Sequence, residues 1–210
     1  MTASSKKVTH LATLTSTPLK LVWPAREHLT SYKAALDTGW SPNNLRPEAG
    51  REELVLIQAD PNAFLASLVD MEAKGAPITL PNGSMVPRLP GYRKWMWDGE
   101  FCGSIMLRWQ KGSNTLPSYC LGHIGYAVVP WCRRKGYAAK ALAQLLTEAP
   151  AQGLTYVEIT TDPDNLVSQR VITANGGVLV ERFVTPAEIG HKTELRWRIN
   201  LHPNSSPHPP

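Results

Sequence analysis

Two kinds of apolar spacing organise this chain. Over residues 193–201, Leu195, Trp197, Ile199 and Leu201 alternate with Glu194, Arg196, Arg198 and Asn200, which is the pattern of a strand with one face covered. Residues 92–97 and 100–109 flank Asp98-Gly99, a pair that tolerates the positive φ of a tight turn, so the two runs are predicted as a β-hairpin. Residues 119–129 are predicted as a third long strand ended by Pro130, with shorter strands over 19–23, 154–161 and 178–183. Helical spacing appears in Leu29, Tyr32 and Leu36 of a 26–37 helix stopped by Gly39. A second helix follows the cap pair Asp60-Pro61 through Phe64, Leu65, Leu68 and Met71 to Gly75. A third covers 133–149 with Ala138, Ala141, Leu142, Leu145 and Leu146 on one face, and a fourth runs from Asp162-Pro163 to Asn175-Gly176-Gly177. Residues 76–90, with Pro77, Pro81, Asn82-Gly83, Pro87 and Pro90, are predicted as an ordered loop or lid.

The resulting order of elements predicts the α+β class, a mixed sheet covered by helices. It is not a regular Rossmann alternation, and no G-x-G-x-x-G follows a strand. The 210 residues suit one domain, expected over 19–202. Residues 1–18, Ser/Thr/Lys-rich, are expected to be a disordered leader, with an organellar transit peptide as the alternative because no acidic residue precedes Glu27. Residues 203–210 hold four prolines and are expected to be a loose tail. No apolar stretch approaches the roughly 20 residues of a bilayer-spanning helix, so no membrane partner is expected. Three cysteines, at no metal-ligand spacing, signal neither a disulfide framework nor a metal site, and a reducing, cytoplasmic setting is the expectation.

Lys and Arg number 22 against 17 Asp and Glu, a formal +5 that favours an anionic partner without naming it. The stretch 123–138 narrows this. A strand ends, Arg133, Arg134 and Lys135 follow, and Gly136 and Ala138 are expected in the first turn of a helix. Small residues there let backbone N–H groups without intrahelical acceptors approach a ligand, and the helix dipole and three cations favour a phosphate or pyrophosphate.

In this stretch Arg133-x-x-Gly136-x-Ala138 resembles the acetyl-CoA signature Arg/Gln-x-x-Gly-x-Gly/Ala of the GNAT superfamily of N-acetyltransferases. The order of elements over 91–202 looks like that family's core, which would leave 19–90 as the variable helical region shaping the acceptor site. The resemblance implies a GNAT-like, mostly antiparallel twisted sheet flanked by helices, with acetyl-CoA as cosubstrate and direct transfer to a primary amine of a small molecule or peptide. It implies that the backbone groups of Tyr126 and Val128 pair with the pantetheine arm. Arg133, Arg134, Lys135, Gly136, Tyr137 and Ala138 would hold the pyrophosphate, with Asn165 and Ser168 beside the thiol end. The Val128 N–H would stabilise the oxyanion.

The catalytic positions depart from the family. Where relatives place a carboxylate or His as base, the register falls on Gly122. His123 is the neighbouring candidate, provided a bulge turns it round, and Glu100 is a weaker one. The usual thiolate acid, a Tyr, falls on Ile172, which leaves Tyr126, Ser168 or water. A nucleophilic role for Cys132 has no support, and Trp95, Trp97 and Trp109 are expected in packing rather than on the acceptor. Two other readings stand beside the transferase: a catalytically silent CoA-binding domain, and, less favoured, a basic nucleic-acid-binding module.

Overall fold

The computed structural model describes residues 18–44 and 46–201. The predicted tail, and the predicted leader apart from Pro18, lie outside the described residues. Strand β1 (Lys20–Val22) leads into α1 (Arg26–Asp37), which buries Leu29, Tyr32, Ala35 and Leu36 at the expected spacing. Helix α2 (Ala49–Ala59) is not written in the apolar pattern: Val55 and Leu56 are exposed, and Ile57 alone of its large apolar side chains is fully buried. Helix α3 (Pro61–Ser67) starts as predicted, with the Asp60 carboxylate accepting from the N–H groups of Asn62 and Ala63 at 2.8 and 3.1 Å. It ends before Leu68 because the next residues form β2 (Val69–Asp70), paired with Tyr92 and Gly91. The predicted loop contains a short hairpin, β3 (Ile78–Thr79) with β4 (Met85–Val86).

Strands β5 (Gly91–Trp97) and β6 (Phe101–Arg108) form the expected hairpin. A register shift between Met96 and Trp97 makes its turn three residues long, with Gly99 at φ 117°. Strand β7 (Ile124–Val128) is shorter than the predicted 119–129. Helix α4 (Tyr137–Leu146) begins later than the predicted 133. The remainder is β8 (Tyr156–Thr161), α5 (Leu166–Thr173), β9 (Val178–Val184) and β10 (Thr193–Asn200).

The strands make two principal antiparallel sheets, β1-β5-β6-β7 with β2 added to β5, and β8-β10-β9. Alternation along β5 sends its side chains to different helices. Arg93 pairs with Glu53 of α2 at 2.8 Å and Trp95 stacks on Tyr32 of α1 at 4.4 Å. From the alternate positions, Tyr92 and Lys94 reach Glu148, beyond α4, at 2.8 and 2.6 Å. Both faces of the larger sheet are therefore covered, and Trp95, Ile105, Leu107 and Leu142 are almost wholly shielded from solvent.

A hydrogen-bonded clasp joins the two sheets. The His123 N–H donates to the Glu158 carbonyl at 2.7 Å, and the Glu158 N–H donates to His123 Nδ1 at 2.9 Å. Beyond that clasp no strand pairing joins β7 to β8 among the described residues, which leaves a break in the pairing, the opening between the sheets, along Tyr126 and Val128.

Candidate active site

The register of β6 and β7 decides which backbone groups face this opening. Val129 N–H bonds to Cys102 O at 3.0 Å and Arg108 N–H to His123 O at 2.9 Å, with Gly103 opposite Val128 and Ile105 opposite Tyr126. Hydrogen-bonded pairs alternate in an antiparallel ladder, so residues 123, 125, 127 and 129 bond to β6. The N–H and C=O groups of Ile124, Tyr126 and Val128 point away from it, toward the opening. Two carbonyls there are already engaged: Tyr126 O accepts from Asn44 Nδ2 at 3.1 Å and Val128 O from Arg133 Nε at 3.3 Å.

At the end of β7 the chain makes one tight turn over Pro130–Cys132 and then the basic loop. Arg134 at φ 61° and Gly136 at φ 73° are both left-handed, and Gly136 is the N-cap of α4. The loop therefore precedes the helix, where the sequence places it in the first turn. The Lys140 N–H bonds to Gly136 O at 3.1 Å, so the N–H groups of Tyr137, Ala138 and Ala139 come before the first intrahelical bond. A Cβ at Gly136 would meet nothing within 4 Å, which leaves room for a phosphate to approach. Turn backbone with left-handed residues can gather successive N–H groups into a concave anion site, and here extended Arg133 is followed by left-handed Arg134 and Gly136, with Arg133, Arg134 and Lys135 exposed. The residues present thus fit a pyrophosphate. Tyr137 can offer it only the backbone, because its hydroxyl donates to Asp98 Oδ2 at 2.6 Å, a bond that pushes its pKa up to about 12.

Across the opening, Asn165 caps α5 by accepting from the Ser168 N–H at 3.1 Å. Ser168 Oγ lies 2.8 Å from the Tyr126 hydroxyl. Burial pushes the Tyr126 pKa up to about 12, so the phenol is protonated and able to donate throughout the neutral range. The structure brings Tyr126, Ser168 and Asn165 together as a connected group, whereas the sequence names them separately.

The other catalytic candidates lie elsewhere. His123 has no exposed surface, its Nδ1 is an acceptor, and its Nε2 has no partner. The β6–β7 register runs without a bulge, so the device needed to turn His123 round is missing. Burial lowers its pKa. Glu100 is exposed in the hairpin turn. Gly122 is packed so tightly on β8 that a Cβ would lie 3.0 Å from Glu158 O and 3.3 Å from both Ile159 Cα and Thr160 N. Ile172 is fully buried, and so are Trp95 and, nearly, Trp109. Burial raises the Cys132 pKa, which disfavours a nucleophilic thiolate. Asn44, on the Tyr126 carbonyl, was beyond sequence reasoning, since nothing local connects positions 82 residues apart. A cavity of about 420 Å³ lies at the other end of α4, lined by Leu146, Thr147, Asn175, Ile199 and Leu201.

Residues 85–178 match the family model described as an acetyltransferase (GNAT) domain. No curated protein matches the chain in sequence. Among solved structures, the ribosomal L7/L12 alpha-N-protein acetyltransferase RimL, in complex with coenzyme A, is similar with a TM-score of 0.59 and 13% identity, over 89% of this chain and 96% of that one. The microcin C7 self immunity acetyltransferase MccE, in complex with acetyl-CoA and AMP, gives 0.53 and 11%, over 87% and 92%. A spermidine N-acetyltransferase from Vibrio cholerae, with CoA and spermine, gives 0.50 and 14%, over 87% and 95%. At such identities the likeness is one of fold. Residues 85–178 thus resemble a GNAT acetyltransferase domain in sequence, and the chain shares the fold of these acetyltransferases.

Proposed function

We propose that this protein transfers an acetyl group from acetyl-CoA to a primary amine of a small molecule or peptide, directly within a ternary complex. The observation that carries the reading is the outward aim of the Tyr126 and Val128 backbone groups into an opening that begins beside the Arg133–Ala138 cradle. Acetyl-CoA supplies an activated thioester when bound. The cradle N–H groups, with Arg133, Arg134 and Lys135, would hold its pyrophosphate, and the edge of β7 would align its pantetheine arm.

The remaining roles fall to this chain's own groups. The Val128 N–H donates to a carbonyl oxygen gaining negative charge, which is where a preorganised donor lowers a barrier most. The Tyr126 hydroxyl, steadied by Ser168, supplies a proton to a departing thiolate. His123, buried and already accepting a hydrogen bond, holds the two sheets together, and water takes the amine's proton. Residues 26–90 would shape the acceptor site. The neighbours named for a ribosomal protein and for spermidine support an amine acceptor of either size. The three free cysteines support a reducing, cytoplasmic setting, and no helix among the described residues is long and apolar enough to cross a membrane.

A catalytically silent CoA-binding domain is the second reading, favoured by Gly122 and Ile172 at the usual base and acid positions. Thermal unfolding with acetyl-CoA, CoA and ATP side by side tests the shared premise. Ligand at about 100 times its dissociation constant adds roughly 2.7 kcal/mol of stability. A rise with both CoA forms but not ATP supports the site, and no rise with either CoA form refutes it. Turnover on an amine panel then separates transferase from silent domain.

A further inference from the structure

A second cluster sits under the cradle. Asp98 of the hairpin turn, Cys102 of β6 and Cys132 of the turn before Arg133 place one carboxylate oxygen and two sulfurs within 4.8 Å of one another. Both thiols are buried and neither is in a disulfide. The Asp98 carboxylate is held in place by the Tyr137 hydroxyl at 2.6 Å. Lys135 lies close enough to Asp98 and Cys132 to act on them electrostatically, and so offsets negative charge.

From this juxtaposition we infer that Asp98, Cys102 and Cys132 form a binding site for a borderline-soft divalent cation of the zinc class. Two thiolates and a carboxylate are a donor set that Zn²⁺ accepts in tetrahedral geometry, with sulfur at about 2.3 Å and oxygen at about 2.0–2.2 Å. Contracting the cluster to those lengths brings the ligand atoms to roughly 3.5–3.8 Å from one another, a modest inward movement of side chains. Binding breaks two S–H bonds and forms two metal–sulfur bonds, so each ion releases two protons while its charge is unchanged. Tyr137 then serves as the outer partner that orients the carboxylate, and water completes the fourth position. The sequence hides the site because Cys102 and Cys132 are far apart along the chain, and only the β6–β7 pairing brings them together. The ion would brace the hairpin turn against the residue preceding Arg133. The inference stands independently of acetyl transfer, since metal binding is read without CoA.

The test is titration of the reduced full-length protein with Cd²⁺, whose thiolate complexes absorb in the ultraviolet. The expected result is a band saturating at one equivalent, two protons released per ion, and competition by excess Zn²⁺. Cys132→Ser should weaken binding at least about 100-fold, and Asp98→Asn about tenfold. Cys120→Ser should leave the titration unchanged, because the Cys120 thiol bonds to Gly122 O and lies outside the cluster. Circular dichroism checks that each variant is folded, and Asp98→Asn, on a half-buried turn, keeps the test decisive if Cys132→Ser unfolds. No band in the folded wild type, a band that survives Cys132→Ser, or one lost in Cys120→Ser overturns the site.

Discussion

The hydroxyl oxygens of Tyr126 and Ser168 stand 2.8 Å apart, joining the middle of β7 to the first turn of α5. Tyr126 is placed by the β6–β7 register and Ser168 by the Asn165 cap of α5. Their contact joins the two positions into one hydrogen-bonded pair, the proton donor proposed above.

Tyr126→Phe removes the donor and keeps the ring. If the phenol protonates the departing thiolate, kcat should fall by at least about 100-fold, the lower range for a positioned acid, with little change in KM for acetyl-CoA. Ser168→Ala should cost less, because it only orients the phenol. Steady-state kinetics on both variants checks this, and a Phe variant with the wild-type kcat assigns the proton to water.

The cradle makes a prediction about which part of the cofactor each residue meets. Replacing Arg133 and Arg134 together with Ala removes two charges beside the proposed pyrophosphate position and one hydrogen bond to Val128 O. Charge-assisted hydrogen bonds contribute about 1.5–3 kcal/mol each, so CoA affinity should drop by at least about tenfold. A pantetheine fragment without the pyrophosphate should lose much less. Calorimetry on the two ligands compares them, and equal losses would mean that the arginines do not meet phosphate.

The basic loop before α4 was legible in the sequence because its residues are contiguous: three cations, a glycine and a helix start are neighbours along the chain. What was illegible is non-local. Asn44 reaches Tyr126 O from the region between α1 and α2. Helix α2 leaves Val55 and Leu56 exposed, so it carries no apolar stripe to announce it. The exact start of α4 also escaped, since left-handed Arg134 and Gly136 delay the helix in a way that composition does not declare. Strands read well wherever one face is covered, as β10 is, and less well at 119–123, where the backbone leaves the ladder before His123 is clasped by Glu158.

His123 should tie stability to pH. Burial lowers its folded-state pKa below 6.5, with Glu158 opposing the shift and Arg108 reinforcing it. As pH falls below about 6.5 the unfolded chain binds a proton that the folded chain does not, so stability present above that value is lost down to the folded pKa. Glu158 contributes in a lower window: burial raises its pKa, but hydrogen bonds from Arg198 and Arg196 hold it below 4.5. His123→Gln should flatten the dependence just below pH 6.5 and leave the lower window in place. Urea unfolding across pH measures both, and an unchanged slope near pH 6 would show that His123 is protonated in the folded state.

Gly122 stands at the position where the resemblance expects a base, so a carboxylate can be introduced there as a test. Gly122→Asp puts a carboxylate at the position where the resemblance expects one, but its Cβ would press on three backbone atoms of β8, the nearest at 3.0 Å. Backbone cannot rotate aside as a side chain can, so the clasp between β7 and β8 must open. Overpacking of this kind costs about 1–3 kcal/mol, and each kcal/mol lowers Tm by about 2–4 °C in a chain of this size. Gly122→Ala should lose a comparable amount without adding charge, which separates crowding from ionisation. Neither variant should turn over faster than wild type. A stable Gly122→Asp protein with higher kcat would show that the strands yield here, and that the glycine rather than the architecture withholds the base.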